Sequence, residues 1–290
     1  MSKKSLDNII ISMESTCDLS KEIIAENDFR IIYMDFMIDG VVYSSSEHDV
    51  VSTNLYQKMK EGAKTSTSQL NEQRYIDFFT DLLKEGKDVM HIAFSSELSA
   101  TYSSAMLASE KVNKQFKNKV YVVDSKCGCG GHGVLGLLAK DYAKEHNVIE
   151  LGKYLEQMKY NVAHLFSVDN LKYLANGGRI KKSSATIGNI LNIKPVMNVD
   201  NEGHLIVLEK VMARRKALRS MLDKFNETYD DNYKLCIINH ADCYQDAEFI
   251  CKNIKENKGI NPIITNLGPV IGSHSGPGTI TIFYVSKCGR

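Results

Sequence analysis

Residues 89–124 read VMHIAFSSELSATYSSAMLASEKVNKQFKNKVYVVD. Apolar runs of strand length, at 89–94 and 120–124, stand on either side of a longer segment at 100–114 whose apolar residues recur at helical spacing. Strands that alternate with helices along a chain pack as a mostly parallel sheet covered by those helices. This stretch therefore predicts an α/β fold.

The same alternation extends through the first half of the chain. Turn residues separate the apolar runs from the longer helical segments. We predict one α/β lobe over residues 1–160, with a mostly parallel sheet. Its further strands are predicted at 8–12 and 30–38, and its further helices at 19–26, 52–61, 71–85, 131–145 and 149–160.

The pattern changes after residue 160, where a second α/β lobe is predicted over residues 161–290. Residues 193–209 predict two antiparallel strands joined by a turn at 201–203, so this lobe is expected to hold a mixed sheet. A short helix is predicted to end at the Gly177-Gly178 pair. Further apolar runs of strand length lie at 163–168, 234–240, 262–268 and 279–285, and further helices are predicted at 213–228 and 244–256.

The composition excludes several classes of partner. Lys and Arg number 36 against 35 Asp and Glu, so the strongly positive field that binds nucleic acid or anionic membranes is missing. No run approaches the roughly 18 apolar residues of a membrane helix, and the first residues do not resemble a secretory signal. Seven cysteines in 290 residues are too sparse for a disulfide scaffold, so we predict a cytoplasmic protein with reduced thiols.

Two clusters of hydroxyl residues are candidate binding elements. TSTSQL at 65–70 precedes a predicted helix, and SSELSATYSS at 95–104 follows a predicted strand and opens the next helix. Helix N-termini carry free amides and partial positive charge, and open α/β sheets bind ligands at the carboxyl ends of their strands. The clusters therefore indicate either a site for a carboxylate or phosphate, or ordinary helix capping.

Two glycine-containing segments also have a functional and a structural interpretation. GPVIGSHSGPG at 268–278 combines four glycines and two prolines around His274. This composition predicts a fixed backbone that positions the imidazole or, alternatively, a tight connection between strands. Arg179 follows the Gly177-Gly178 pair, where it is expected to bind a phosphate or a partner protein, or to belong to a solvated basic stretch.

The sequence offers little support for a metal or for the common catalytic motifs. Cys127, Cys129 and His132 lie close together in CGCGGHG, but structural zinc usually needs a second pair of ligands elsewhere. The motifs G-x-S-x-G, H-E-x-x-H and G-x-x-x-x-G-K-[ST] are absent from the sequence. We therefore predict no metal at this segment and no catalytic residue of the common hydrolase, zincin or nucleotide-binding types.

Seven segments, in order along nearly the whole chain, resemble those of the DegV family. The most distinctive is GPVIGSHSGPG at 268–278. The others are STCDL at 15–19, TSQ at 67–69, SSELSATYSSA at 95–105, VVDS at 122–125, GGRI at 177–180 and IKPV at 193–196. Members of this family resemble the fatty-acid-binding subunits of bacterial fatty acid kinase.

The resemblance implies two α/β lobes with a long-chain fatty acid between them, its carboxyl end near the surface and its tail in an apolar tunnel. Thr67 and Ser99 match the family's carboxyl-binding threonine and serine, and His274 matches the histidine of its glycine-rich loop. We add Ser68 and Ser96, from the same two clusters, as further candidates for binding the carboxyl group. The resemblance implies neither a cofactor nor a metal.

Arg179, in the GGR motif, is implied to face a separate ATP-dependent fatty acid kinase subunit. That subunit would convert the bound acid to an acyl phosphate for phospholipid synthesis, so this chain would bind lipid without itself being an enzyme. Two alternatives remain open. One is an enzyme acting on a small phosphorylated or carboxylated metabolite through His274, and the other is a lipid-sensing regulatory protein.

The sequence departs from the family pattern at three places. Glu14 stands where the family usually has aspartate, Leu70 replaces the proline after TSQ, and Ala100 replaces the glycine after Ser99. A β-carbon at Ala100 changes how closely the backbone can approach a carboxylate, and Leu70 removes rigidity from its loop.

Overall fold

The computed structural model describes residues 9–180 and 193–290, with the backbone only for residues 47–53. The chain is an α/β protein with a parallel sheet in its N-terminal part and a mixed sheet in its C-terminal part. The strands, in chain order, are β1 (Ile9–Glu14), β2 (Arg30–Ile32), β3 (Asp35–Ile38), β4 (Val41–Ser44), β5 (Thr65–Ser68), β6 (Asp88–Ala93), β7 (Val120–Asp124), β8 (Val162–Ser167), β9 (Ile193–Val199), β10 (Leu205–Met212), β11 (Cys236–His240), β12 (Ile263–Asn266) and β13 (Ile280–Val285).

The predicted helices are confirmed, with ends that differ by a few residues. Side-chain caps define several of the starts: Asn71 accepts a hydrogen bond from the Arg74 amide, and Asn147 forms a capping box with Glu150. The helices are α1 (Lys21–Glu26), α2 (His48–Lys60), α3 (Glu72–Leu83), α4 (Thr101–Val112), α5 (Gly130–Tyr142), α6 (Val148–Met158), α7 (Lys172–Asn176), α8 (Arg214–Thr228), α9 (Tyr244–Lys258) and α10 (Pro269–Ser275).

The N-terminal sheet has the order β2-β1-β6-β7, and all its strands are parallel, as predicted. The strands β1 and β6 are central and almost wholly buried, which is why their sequences are nearly continuous apolar runs. Glu14 and Ala93 end these two strands at the same edge of the sheet. The loops that follow them therefore emerge side by side, at the edge where such sheets bind ligands.

The prediction of one strand over residues 30–38 was wrong. The segment forms β2 in the parallel sheet and β3 in a separate antiparallel sheet of order β4-β3-β5. At the break, the Met34 amide donates to Ser15 Oγ at 3.1 Å, and the Met34 carbonyl accepts from the Ser45 amide at 3.0 Å. These bonds to other segments replace sheet pairing and let the chain change direction between the two sheets.

The segment TSTSQL precedes helix α3 as predicted, but its hydroxyl residues at 65–68 form strand β5 and do not cap that helix, so the capping interpretation is wrong. Thr67 pairs with Phe36 of β3, and the helix cap is supplied further on by Asn71. Alternation along β5 directs Thr65 and Thr67 to one face and Ser68 to the other.

The C-terminal sheet is mixed and has the order β10-β9-β8-β13-β11-β12. All neighbouring strands are antiparallel except β11 and β12. The predicted hairpin is confirmed, because Leu205 pairs with Val199 across the turn at 201–203. The predicted boundary near residue 160 falls between α6 and β8, and the division into two domains stays a prediction.

The segment 268–278 is partly helical, although we expected a loop. Residues 269–275 form α10, with Pro269 in its first turn, where a missing amide proton costs nothing. The helix ends at Gly276, whose φ of +80° is strained for other residues, and a Cβ there would lie 2.3 Å from the Tyr173 ring. The glycine-rich composition therefore fixes the end of a short helix against α7.

The largest apolar core includes residues from both parts of the chain. Met13 of β1 and Leu135 of α5 belong to it together with Ile237 of β11 and Phe283 of β13, and each is at most 2% exposed. The helix α5 contacts both the parallel and the mixed sheet. The two sheets are therefore held together by shared packing around this helix.

Within residues 9–180 and 193–290, no helix combines the length and the apolar character needed to cross a membrane.

All seven cysteines are unpaired. Cys17, Cys127, Cys129 and Cys236 are buried, and burial raises the pKa of each thiol.

Candidate functional site

A cavity of about 340 Å³ lies between the two sheets. This volume is within the range of roughly 300–1,000 Å³ that is typical of small-molecule sites. Its walls are supplied mainly by the mixed sheet, the loops that follow β6 and β7, and the helices α7 and α10. Four of the six residues predicted to bind a carboxyl group or a partner line it: Thr67, Ser99, Arg179 and His274.

Thr67 and His274 are joined directly, although 207 positions separate them in sequence. Thr67 Oγ1 and His274 Nε2 lie 2.8 Å apart. A second bond, 2.9 Å from Thr65 Oγ1 to the Ser273 carbonyl, attaches β5 to α10 along the same face. The two motifs that looked independent in the sequence therefore form one hydroxyl-imidazole pair at the cavity wall.

The imidazole of His274 packs closely against the turn that ends α7. A Cβ at Gly177 would lie 2.3 Å from His274 Nδ1, so only glycine allows this approach. Arg179 follows on the same turn and donates through Nη1 to the Gly177 carbonyl and through Nε to the Leu98 carbonyl, the latter at 3.1 Å. The arginine thus connects α7 to the loop that carries Ser99.

Ser99 is half-buried on that loop, immediately before α4. Its Oγ lies 2.5 Å from Thr101 Oγ1 and accepts from the Thr101 amide at 3.3 Å. This bond is a local turn contact just before α4, whose N-cap residue, Ala100, has no side-chain cap bond. Ser99 also lines the cavity. Ala100 lines the cavity too, exposed at its rim.

Ser68 and Ser96 are not among the residues that line the described cavity. Ser68 pairs with Asp35 on the opposite face of β5 from Thr67. Ser96 Oγ accepts from Lys126 Nζ at 2.8 Å, and the Ser96 amide donates to Asp124 Oδ1 at 3.1 Å. The structure therefore assembles Thr67, Ser99, His274 and Arg179 and leaves these two serines outside.

The rest of the cavity wall is mainly apolar. The sequence did not identify these residues as a group, because they come from separate strands and loops. Alternation along β8 was an available signal, since His164 and Phe166 share a face. The polar lining residue Gln69 lies two positions after Thr67 in the TSQ motif. The apolar lining comprises Met34, Phe94, Leu98, Phe166, Leu174, Val199, Leu205, Leu267, Val270, Ile271 and Phe283.

The cavity wall also contains buried polar groups that are already bonded. His164 is 2% exposed and bonds through Nδ1 to the Val162 carbonyl at 2.8 Å. Burial, with the field of Arg290, lowers the pKa of His164 well below its usual value, so the ring is neutral. Thr281 Oγ1 donates to the Asn239 carbonyl at 3.1 Å and accepts from the Asn239 amide at 2.9 Å.

The buried charge of Glu14 positions the loop that begins at Phe94 and forms part of the cavity wall. Glu14 is wholly buried, and its Oε2 accepts from the Phe94 amide at 2.9 Å. Its Oε1 accepts from Tyr75 Oη and lies 3.1 Å from His91 Nε2. Glu14, which stands where the family usually has aspartate, thus accepts the hydrogen bonds that connect β1 and α3 to the end of β6.

The pKa of Glu14 reflects opposing effects. Burial raises it, but attraction and hydrogen bonding by His91, the field of His132 and the bond from Tyr75 together lower it to about 2. Glu14 therefore keeps its negative charge inside the protein at neutral pH.

His274 is neutral at pH 7. Burial, and the nearby positive charge of Arg179, lower its pKa from 6.5 to about 4. A neutral ring has one donor and one acceptor nitrogen, and the tautomer decides which group donates in the bond to Thr67. The cavity mouth can therefore offer hydrogen bonds from a hydroxyl and an imidazole with Arg179 as the adjacent fixed charge.

We expect acid to destabilise the protein partly through His274. Its folded-state pKa is depressed, so its contribution to the free energy of unfolding is complete above pH 6.5. That contribution is lost as pH falls toward about 4, because over this interval the unfolded chain binds a proton that the folded chain does not. Between pH 7 and pH 5 the wild type should lose about 1–2 kcal/mol more unfolding free energy than His274→Gln, measured by urea denaturation. Equal losses in the two proteins would contradict this assignment.

The CGCGGHG segment does not form a metal site. Cys127 Sγ accepts from Arg290 Nη2 at 3.1 Å, Cys129 Sγ lies 3.1 Å from Asn239 Oδ1, and His132 Nε2 bonds to the Ile92 carbonyl at 2.7 Å. The three side chains thus have separate partners. In the part of the chain that the structure describes, the metal-like grouping is elsewhere, at the hairpin turn: Asp200, Glu202 and His204. Glu202 and His204 are exposed and Asp200 is half-buried, and exposed acidic groups commonly lie together without a metal.

Comparison with known proteins agrees with the fold over its whole length. The DegV family model matches residues 8–287. A DegV domain-containing protein of Clostridium perfringens is 32% identical over 285 residues, which cover 97% of this chain and 98% of the relative.

Two solved structures have the same fold. A DegV family protein of Thermus thermophilus, for which fatty acid binding is described, is 26% identical with a TM-score of 0.85, covering 96% of this chain and 99% of that one. A Thermotoga maritima protein described as having a fatty acid binding function is 27% identical with a TM-score of 0.83 and the same coverage.

Proposed function

This chain belongs to the DegV family, and on that premise we propose that its cavity binds a long-chain fatty acid in the cytoplasm. The observation that carries the proposal is an apolar cavity with a hydroxyl-imidazole pair, Thr67 and His274, at its polar end. Solved relatives in which fatty acid binding is described support it.

The tail supplies most of the binding energy in this proposal. Each methylene removed from water contributes about 0.8 kcal/mol, so a tail of around fifteen carbons provides on the order of 10 kcal/mol before ordering costs. Hydrogen bonds to an ionised carboxyl group add only about 1.5–3 kcal/mol each. The apolar wall therefore determines affinity, and Thr67, Ser99 and His274 determine the orientation of the acid.

The carboxyl group is held without a lysine ion pair. Among the described residues, the cation lining the cavity is Arg179, and its Nε and Nη1 already donate to backbone carbonyls. Hydroxyl and imidazole donors leave one carboxylate oxygen available for chemistry, whereas a bidentate ion pair would occupy both. This arrangement suits a protein that presents its ligand to another protein.

Solvent extraction tests the binding proposal. Protein purified without added lipid should release about one long-chain fatty acid per chain into organic solvent, identified by mass spectrometry, because a buried tail dissociates slowly. Release of a small phosphorylated or carboxylated metabolite in its place would favour the enzyme alternative. If neither the purified protein nor protein incubated with fatty acid retains lipid, the proposal is wrong.

We further propose that a separate ATP-dependent kinase phosphorylates the presented carboxyl group and makes an acyl phosphate for phospholipid synthesis. Arg179 is half-buried at the cavity rim, on the turn after α7. A guanidinium at that position can contact the partner or the transferred phosphate. His274 would orient the carboxylate, whose oxygen attacks the phosphoryl group as ADP leaves, and would help to stabilise charge that develops on that phosphoryl group.

Arg179→Ala is expected to abolish acyl phosphate formation when lipid-loaded protein, kinase and ATP are mixed, while bound lipid remains at the wild-type level. Lys172→Ala, at an exposed position on the adjacent helix α7, should keep both properties. Loss of lipid from Arg179→Ala would instead assign the arginine to holding the Leu98 loop through its Nε bond. Unchanged product formation would refute its role toward the kinase.

A further inference from the structure

The last turn of α10 carries His274, and it leaves the carbonyl group of Ser273 without a partner inside the helix. In an α-helix each carbonyl accepts from the amide four residues later, and the last four carbonyls have no such donor. Four residues after Ser273 stands Pro277, which has no amide proton to donate. The Gly276 amide bonds to the Gly272 carbonyl at 2.8 Å. The Ser273 carbonyl therefore needs a donor from outside the helix.

Thr65 supplies that donor from strand β5. Its Oγ1 donates to the Ser273 carbonyl at 2.9 Å, although 208 positions separate the two residues in sequence. A helix of seven residues has little stability of its own, so contacts with other elements decide where its last turn lies. The Thr65 hydroxyl thus caps α10 from a distant strand and fixes the end of the helix to that strand.

The bond from Thr65 lies beside the hydrogen bond of the candidate site. Thr65 and Thr67 are two positions apart on one face of β5, and Ser273 and His274 are consecutive in α10. The bonds made by the two threonines, 2.9 Å and 2.8 Å long, therefore join the same strand to the same turn. Thr67 and His274 line the described cavity and Thr65 does not, so Thr65 influences a ligand through these neighbours.

We propose that Thr65 is a positioning residue for carboxyl recognition: by capping the last turn of α10, it holds His274 at hydrogen-bond distance from Thr67. The inference rests on the proposed function, in which these two side chains orient the acid. Without the Thr65 hydroxyl, the Ser273 carbonyl turns toward water to regain a partner, and the adjoining His274 moves with it. Most of the apolar wall belongs to other elements, so binding of the tail is preserved.

Isothermal titration of delipidated full-length protein with two ligands of equal tail length tests the inference. Palmitic acid carries the carboxyl group, and 1-hexadecanol has the same number of carbons without it. Thr65→Val removes the hydroxyl and keeps a β-branched side chain that suits a strand. This variant should bind palmitic acid about threefold to tenfold more weakly than the wild type, the usual effect of one hydrogen bond, and 1-hexadecanol within about twofold of the wild type.

Further variants separate positioning from a general loss of stability. Thr65→Ser keeps the hydroxyl and should restore palmitic acid binding to within about twofold of the wild type. Ser66→Ala is the matched control, because Ser66 lies on the same strand but is exposed on its opposite face. It should bind both ligands like the wild type. If circular dichroism shows that valine at position 65 disturbs the fold, Thr65→Ala takes its place in the same comparison.

The outcomes separate this inference from the function on which it rests. If loss of the Thr65 hydroxyl leaves palmitic acid binding unchanged, or weakens both ligands equally, the positioning role is refuted and fatty acid binding stands. The role is refuted too if Thr65→Ser binds palmitic acid no better than Thr65→Val. If the wild type binds neither ligand, the proposed function fails as well.

Discussion

Replacing Glu14 with alanine is expected to lower the free energy of unfolding by about 3–5 kcal/mol, the usual effect of breaking a buried, hydrogen-bonded network that holds a charged group. The substitution leaves the Tyr75 hydroxyl and the Phe94 amide without their acceptor, and His91 without its carboxylate. It also opens a void in a fully buried position. Urea denaturation followed by circular dichroism measures the change.

Glu85→Gln provides the control for this prediction. Glu85 pairs with Arg30 at 3.1 Å on the surface, where the glutamate side chain is 38% exposed, so its loss should cost at most about 1 kcal/mol. A loss for Glu14→Ala as small as this control would show that the buried network contributes little.

The pH dependence provides an independent check on Glu14. Its pKa is depressed to about 2, so its contribution is complete above its ordinary value of 4.5 and disappears as pH falls toward 2. The difference in free energy of unfolding between the wild type and Glu14→Gln should therefore decrease as the pH is lowered from 4.5 to 2.

Val199→Trp is expected to weaken fatty acid binding about a hundredfold. Val199 is 3% exposed, lines the cavity and pairs with Leu205, which lines it too. An indole there would displace about four methylenes of the tail, which removes roughly 3 kcal/mol of binding energy. Titration with palmitic acid measures the change, and the purified variant should release little lipid on extraction.

Leu208→Trp is the matched control for the cavity-filling substitution. Leu208 lies on the neighbouring strand β10 but is 42% exposed and does not line the cavity. It adds the same side chain to the same sheet without entering the ligand's space, so it should bind palmitic acid like the wild type. Normal binding by Val199→Trp would place the tail elsewhere.

The sequence predicts the elements of this fold well where apolar period and capping agree. Residues 120–124 form a strand as predicted, and Asn147 separates α5 from α6. It fails where hydrogen bonds between distant segments decide the outcome. Nothing near Met34 in the sequence indicates that Ser15 and Ser45 will take over its backbone bonds and divide one apolar run between two sheets.

The candidate site shows the same division. The motifs that contain Thr67, Ser99, Arg179 and His274 are visible in the sequence, and the structure brings all four to one cavity. Their mutual contacts are not visible, because the bond between Thr67 and His274 depends on β5 being a strand. Ser68 and Ser96 belong to the same two hydroxyl clusters but do not line the cavity. Strand alternation directs Ser68 to the other face of β5, and Ser96 bonds to Lys126.

The core shared around α5 limits how a ligand can enter or leave. Met13 and Leu135 pack in one cluster with Ile237 and Phe283. A hinge motion that separated the two sheets would therefore expose that cluster to water. Under the proposed function, a ligand would instead enter and leave through small rearrangements of the cavity wall, for example where Arg179 Nε donates to the Leu98 carbonyl. Such a protein could release a bound ligand while the packing between its two sheets stays intact.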